Sequence, residues 1–344
     1  MKTLKINTSI GKSSILIGEK IENTARYLPA AHVVIITDEK LGRIYGSSFP
    51  SDNVITIGLG EQIKTLKTVQ TIYETLLTLG ADRSTFLLGI GGGIVCDITG
   101  FVASTYMRGI RFAFVSTSLL SQVDASVGGK NGVNFMGYKN IVGVFNQPEF
   151  VICDPRMLKT LPEKEIGCGF AEIIKIAAVL DIRLLEKLEA EHQKALALET
   201  DVIEEIIYDS VALKSQIVNK DATEKGERIK LNFGHTLGHA LEKTLPVSHG
   251  EAVSAGMVMA ARISLYKELI DNSSLDRLIN LIEIFKLPTH FSADERLLLD
   301  AVKKDKKREA DHVRFILLKG LGKAQVEKFS FETMEKLIAL ALAE

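Results

Sequence analysis

The sequence has few of the features that would staple, anchor or target a chain. Cysteine is scarce: Cys96, Cys153 and Cys168 are odd in number and follow no CxxC spacing, which argues against a disulfide framework and suits a reducing compartment. No apolar run approaches the roughly 18 residues a membrane span needs. The opening MKTLKINTSIGKSS lacks the apolar stretch of a secretory signal, so a cytoplasmic location is expected. Neither sign of charge is in surplus. At a net charge of −1, no nucleic-acid or membrane-surface partner is expected. Internal repeats and low-complexity tracts are absent as well.

What is present is an ordinary globular composition, 46% apolar and 25% charged. At 344 residues the chain is too long for a single core, and two domains are expected, 1–155 and 156–344. The first alternates strand and helix patterns. Residues 3–17 predict a hairpin around Gly11-Lys12, and Glu19–Leu28 a short helix. Val33–Thr37, Val54–Ile57, Phe86–Ile90 and Phe112–Val115 predict buried strands, with an amphipathic helix ending at Leu79 before Gly80. Such alternation points to an open parallel α/β sheet, whose ligands gather at the carboxyl ends of the strands.

The motifs fall at those ends. LLGIGGGIVCDITG follows a strand and opens a helix, so its amides suit a pyrophosphate, although Ile94 occupies the last glycine position of a GxGxxG. A simple tight turn is the alternative. Asp38 could accept ribose hydroxyls or merely cap a helix. Between Arg108 and Pro148 lies a long stretch of glycines and polar residues interleaved with aromatics, which predicts a functional loop. Its Arg108, Lys130, Lys139 and Asn140 suit an anionic, phosphorylated small molecule, against the alternative of solvated surface lysines.

From about Pro155 the patterns are helical, apart from a hairpin in VRFILLKGLGKAQVEKF. Glu172 and Lys175 stand three apart on one helix face. A carboxylate facing inward is costly unless paired or metal-bound, which makes Glu172 a candidate third metal ligand. The segment LNFGHTLGHALEKTLPVSHGE holds His235 and His239 one helical turn apart, then His249 at the start of a further helix. Three such groups suit a catalytic zinc with one open position. Satisfied helix histidines are the alternative, and Thr236 stands where HExxH would carry its Glu.

Together GGGIVCDITGFVASTYMRG, STSLLSQVDASVGGKNGVN, GYKNIVGVFNQP, GFAEIIK, ERIKLNFGHTLGHALE and HGEAV resemble the 3-dehydroquinate synthase family of sugar-phosphate cyclases over nearly the whole chain. The resemblance implies a Rossmann-like α/β domain, a mostly α-helical second domain and an active site in the cleft between them. It implies NAD, and Zn²⁺ (Co²⁺ as the alternative ion) on Glu172, His235 and His249, with His239 facing substrate instead. NAD contacts would come from Asp38, Glu61, Lys64, Gly92, Gly93, Asp97, Thr117, Ser118, Asp124, Lys130 and Lys139, with Thr160 nearby. Lys130, Asn140, His239, Arg108 and one lysine of the 303–307 run, with Lys306 as the choice, would hold the phosphate, Lys175 the ring, and Lys214 with Arg228 the carboxylate; Asn232 joins the substrate group. The implied assembly is a homodimer. Ser116 and Cys96 depart from the family's usual Pro and Gly. The implied reaction is the conversion of 3-deoxy-D-arabino-heptulosonate 7-phosphate to 3-dehydroquinate through transient oxidation, phosphate elimination, reduction and internal aldol closure. The runners-up are a sister cyclase acting on another sugar phosphate and a metal-dependent alcohol or glycerol-phosphate dehydrogenase.

Overall fold

The computed structural model describes residues 1–303, 308–309 and 312–342. The chain divides into two compact units, one of Met1–Leu161 with Lys214–Thr223 and one of Pro162–Leu213 with Glu224–Glu344. The expected division after 155 falls short because the turn Pro155–Thr160 buries Met157 in the first core. The segment 214–223, expected in the second domain, also groups with the first.

The first unit runs β1 (Lys2–Thr8), β2 (Gly11–Ile17), β3 (Val33–Asp38), α1 (Glu39–Tyr45), β4 (Val54–Ile57), α2 (Leu66–Thr78), β5 (Phe86–Gly91), α3 (Gly93–Thr105), β6 (Arg111–Ser116), β7 (Lys130–Phe135), β8 (Tyr138–Phe145) and β9 (Phe150–Cys153). Seven of the strands form one sheet in the order β1-β2-β9-β6-β5-β3-β4. Only the β1–β2 pair in it is antiparallel. Every residue of β5 is buried, as expected of a parallel strand covered on both faces, and this is why its sequence shows no polar alternation. On one face Leu16, Ile35, Leu88, Ala113 and Ile152 join in a single cluster. The strand order reverses between β3 and β5, since the chain steps outward from β3 to β4 and returns to pair β5 on the other side. Open parallel sheets bind ligands at such a reversal, and here Asp38 ends one strand and Gly91 the other.

Three segments depart from their sequence patterns. Glu19–Leu28 forms only a 3₁₀ turn over Ile21–Tyr27. The β1–β2 hairpin turns at Ser9-Ile10, since Gly11 already pairs with Thr8. The stretch 108–148 is structured rather than a loop: a wide turn at Ser121–Ala125 is followed by the antiparallel β7–β8 hairpin. The sheet also gains a parallel strand, β9, that the sequence pattern did not mark.

The second unit comprises α4 (Glu163–Leu180), α5 (Ile182–Leu196), most of α6 (Thr200–Lys220), α7 (His235–Thr244), α8 (His249–Tyr266), α9 (Asn272–Ile284), α10 (Glu295–Lys303), a three-stranded sheet of β10 (Arg308–Glu309), β11 (His312–Leu318) and β12 (Ala324–Ser330), and α11 (Phe331–Leu342). The helices α7 and α8 can lie close because Gly256 faces the Gly234 carbonyl, where an added Cβ would stand 2.2 Å away. A Cβ on Gly250 would likewise meet Cys168 of α4 at 2.4 Å. These two contacts bring α7 and α4 against α8.

Candidate active site

That packing gathers three side chains from three helices. Glu172 of α4 is fully buried, and both His249 Nε2 and His235 Nε2 point at its Oε1, at 3.3 and 3.6 Å. His235 Nδ1 faces the Phe233 carbonyl at 3.2 Å. A carbonyl can only accept, so the proton sits on Nδ1 and Nε2 carries the lone pair that a metal would take. Ligand atoms about 2.1 Å from a shared tetrahedral zinc stand about 3.4 Å apart, so Glu172, His235 and His249 fit one metal ion. The second carboxylate oxygen of Glu172 accepts from Lys175, which is itself 2% exposed.

His239 shares the helix face with His235, their rings 5.2 Å apart, and it groups with Glu242 and His249 in a second set that could hold a metal rather than with Glu172. Sequence reasoning missed Glu242. Its Oε2 lies 3.7 Å from His249 Nδ1, so it can orient the ring from behind, as carboxylates behind metal-binding histidines do. The signal was available, since 235, 239 and 242 form one helical stripe. His249 itself enters α8 directly after Ser248, whose hydroxyl and amide form a reciprocal cap with Glu251.

The first unit assembles a polar rim at the carboxyl ends of β3, β5 and β6. Gly92 caps α3, and a Cβ there would lie 3.2 Å from the Ser118 hydroxyl; Thr117 donates to the Gly91 carbonyl at 3.0 Å. Lys64, 4% exposed, pairs with Asp97. Burial raises the Asp97 carboxyl above its ordinary range, with Lys64 opposing and Glu61 and Asp124 adding to the rise. Lys214 is buried and pairs with Asp124, also donating to its carbonyl at 2.5 Å. Lys130, Lys139, Asn140 and Arg108 are exposed. Met107 and Arg108 take positive φ (48° and 69°), a costly conformation for residues with a side chain, and Gly109 follows at 119°.

Other expected residues are engaged locally. Asp38 caps α1 through Leu41 N at 2.9 Å, which is the capping alternative. Thr160 is exposed and contacts Tyr45 at 3.2 Å. Asn232 donates to Glu224. Arg228 is buried. Lys306 lies outside the described residues.

The family model for the 3-dehydroquinate synthase N-terminal region matches residues 54–168, and that for its C-terminal region matches 169–308. A 3-dehydroquinate synthase of Dehalococcoides mccartyi is 44% identical over 95% of each chain. The chain belongs to the 3-dehydroquinate synthase family. A synthase of Enterococcus faecalis is 40% identical over 86% of this chain and 85% of its own. Among solved structures, 2-deoxy-scyllo-inosose synthase bound to carbaglucose-6-phosphate, NAD⁺ and Co²⁺ superposes with a TM-score of 0.87, at 26% identity over 98% of this chain and 99% of that one.

Both departures from the pattern of 3-dehydroquinate synthases sit beneath the glycine turn. Cys96 donates from its thiol to the Gly91 carbonyl at 3.6 Å. Burial pushes that thiol far above its usual range, with the Asp97 charge adding and the Ser116 hydroxyl opposing. The two departures are therefore neighbours, and Cys96 is an unreactive packing group.

The Glu172–His235–His249 cluster has a pH signature. Burial opposes a charged His249, but the hydrogen bonds and charges of Glu172 and Glu242 outweigh it and raise the pKa to about 9 from an ordinary 6.5. In the metal-free protein the charged ring therefore contributes stability fully below pH 6.5, and this is lost as pH rises through about 9. A metal needs the neutral ring, so zinc uptake must expel that proton. Zinc affinity is expected to rise with pH up to about 9. Calorimetric titration at pH 7 in buffers of different ionisation enthalpy should count about one proton released per zinc; no release would mean that the ring is already neutral in the metal-free protein.

Proposed function

We propose that the chain is a 3-dehydroquinate synthase that converts 3-deoxy-D-arabino-heptulosonate 7-phosphate to 3-dehydroquinate and phosphate, dependent on NAD⁺ and a divalent metal. One observation carries the substrate choice: identity is 44% to a 3-dehydroquinate synthase and only 26% to the solved sister cyclase.

When bound, the dinucleotide would supply a reversible hydride acceptor and the metal a Lewis acid. Glu172, His235 and His249 would hold the metal, with Glu242 aligning His249. The glycine turn at Gly92 and Gly93 would receive the pyrophosphate at the N-terminus of α3. Thr117, Ser118 and Lys139 would line the dinucleotide, as would Asp38 beyond its capping bond. Glu61, the Lys64–Asp97 pair and Asp124 would set its charge environment. Lys130, Asn140, Arg108 and His239 would grip the phosphate and stabilise it as it leaves, and Lys306 is assigned there too. Lys175, fixed by Glu172, would hold a ring oxygen, while Arg228 and Lys214 would bind the carboxylate and Asn232 would support them. Much of the rate would come from holding the reacting bonds in line. We further propose a homodimer, checked by light scattering, and a cytoplasmic location. Among the described residues no helix is long and apolar enough to cross a membrane.

The test is a full-turnover assay with limiting NAD⁺. Phosphate should appear in large excess over the NAD⁺ supplied, with little standing NADH, because the hydride returns within each cycle. Stoichiometric NADH without phosphate would mark a dehydrogenase. Equal turnover of sedoheptulose 7-phosphate, which lacks the carboxylate, would mark a sister cyclase.

A further inference from the structure

Asn134 stands where the β7–β8 hairpin meets the segment before α2. The ladder register shifts between Val133 and Phe135, and at that irregularity Asn134 leaves β8 and bridges to Thr65, its amide donating to the Lys64 carbonyl at 2.8 Å. Both ends of its side chain are then used. Nδ2 donates to Glu61 Oε1 at 2.8 Å, and Oδ1 accepts from the Asn140 backbone amide at 2.9 Å. The orientation is fixed chemically: a carboxylate only accepts and a backbone amide only donates, so the flipped side chain would oppose donor to donor and acceptor to acceptor. Asn140 is meanwhile held at φ 50°, a left-handed conformation that needs local support in a residue with a side chain.

We propose that Asn134 is a positioning residue that locks Glu61 and Asn140 to each other with one amide, so that the dinucleotide side and the phosphate side of the site form as a unit. The inference rests on the functional reading above, which assigns Glu61 to the dinucleotide and Asn140 to the phosphate. No other uncharged side chain of this size both donates and accepts in that geometry. Threonine and serine are too short, and aspartate accepts at both ends.

The test is a charge-swap cycle. Asn134→Asp keeps an acceptor for the Asn140 amide but sets a second carboxylate against Glu61. It should weaken NAD⁺ binding about tenfold or more by calorimetry at neutral pH. Adding Glu61→Gln restores a donor–acceptor pair with the roles reversed, so Asn134→Asp should cost less NAD⁺ affinity in the Glu61→Gln background than in the wild type. Asn134→Leu should lose both bonds, raising the dissociation constants for NAD⁺ and for inorganic phosphate together. It should also speed hydrogen exchange at the Asn140 amide, a readout that needs no ligand. Unchanged NAD⁺ affinity in Asn134→Asp, an equal loss from Asn134→Asp in the Glu61→Gln background, or unchanged Asn140 exchange in Asn134→Leu would each overturn the proposal. A wild-type protein that binds no NAD⁺ while its Asn140 amide responds to Asn134→Leu would overturn the functional reading and leave the lock standing.

Discussion

Glu172→Ala is expected to abolish turnover, strip the bound metal and lower the melting temperature, all from one substitution. The carboxylate is fully buried and serves three partners: the two imidazoles on Oε1, and Lys175 on the other oxygen. Without it the Lys175 ammonium is left buried with its carboxylate gone. Breaking a buried ion pair from one side costs about 3–5 kcal/mol, and at about 2–4 °C per kcal/mol for a unit of this size the loss is roughly 6–20 °C. Glu172→Gln keeps the shape and should lose less stability but as much activity, because the ligand charge is gone. His235→Ala and His249→Ala should also lose zinc, while His239→Ala should retain it and lose activity alone. Metal analysis of the purified variants with parallel melting curves decides the matter. Equal zinc loss at His239 and His249 would show that the wrong histidine has been excluded.

How much of this was legible in the sequence depended on whether burial left a periodic trace. The strands β3, β5 and β6 are covered on both faces, so they appear as continuous apolar runs and were found at nearly their true bounds. The β7–β8 hairpin is different. Tyr138, Lys139, Asn140 and Ile141 are all exposed, and glycines interrupt both strands, so no alternation marks a face. Its register is set by pairing with Thr65, about 70 residues away along the chain. The cluster of Glu172, His235 and His249 was legible because helix spacing and the inward carboxylate of Glu172 are local features, and the resemblance then favoured His249 over His239. Glu242 was overlooked although it lay on the same stripe. Asn134 left no local signal, since its role depends on a register shift and two distant partners.

Lys214 shows the same limit, and it carries the second large effect. Its helical pattern gives no sign of burial, whereas it is 4% exposed and held by Asp124, whose side chain is 28% exposed. Lys214→Met should therefore destabilise by about 2–3 kcal/mol, below the figure for a fully buried pair because solvent still reaches the carboxylate. That corresponds to a fall of roughly 4–12 °C in Tm. The variant should also raise KM for the heptulosonate, since a charge-assisted hydrogen bond of about 1.5–3 kcal/mol is roughly 10- to 150-fold in affinity. A structural role and a substrate role both predict this much. Lys214→Met with Asp124→Asn separates them, because neutralising both partners removes the orphaned charge and should recover most of the lost Tm. If Lys214 also grips the carboxylate, KM for the heptulosonate stays high in that double variant while Tm recovers. If the lysine only anchors Asp124, the two recover together. The affinity for NAD⁺, measured separately, accounts for what the change at Asp124 does to the cofactor. A double variant restored in both Tm and KM would take Lys214 out of the substrate site and leave Arg228 as the carboxylate's partner.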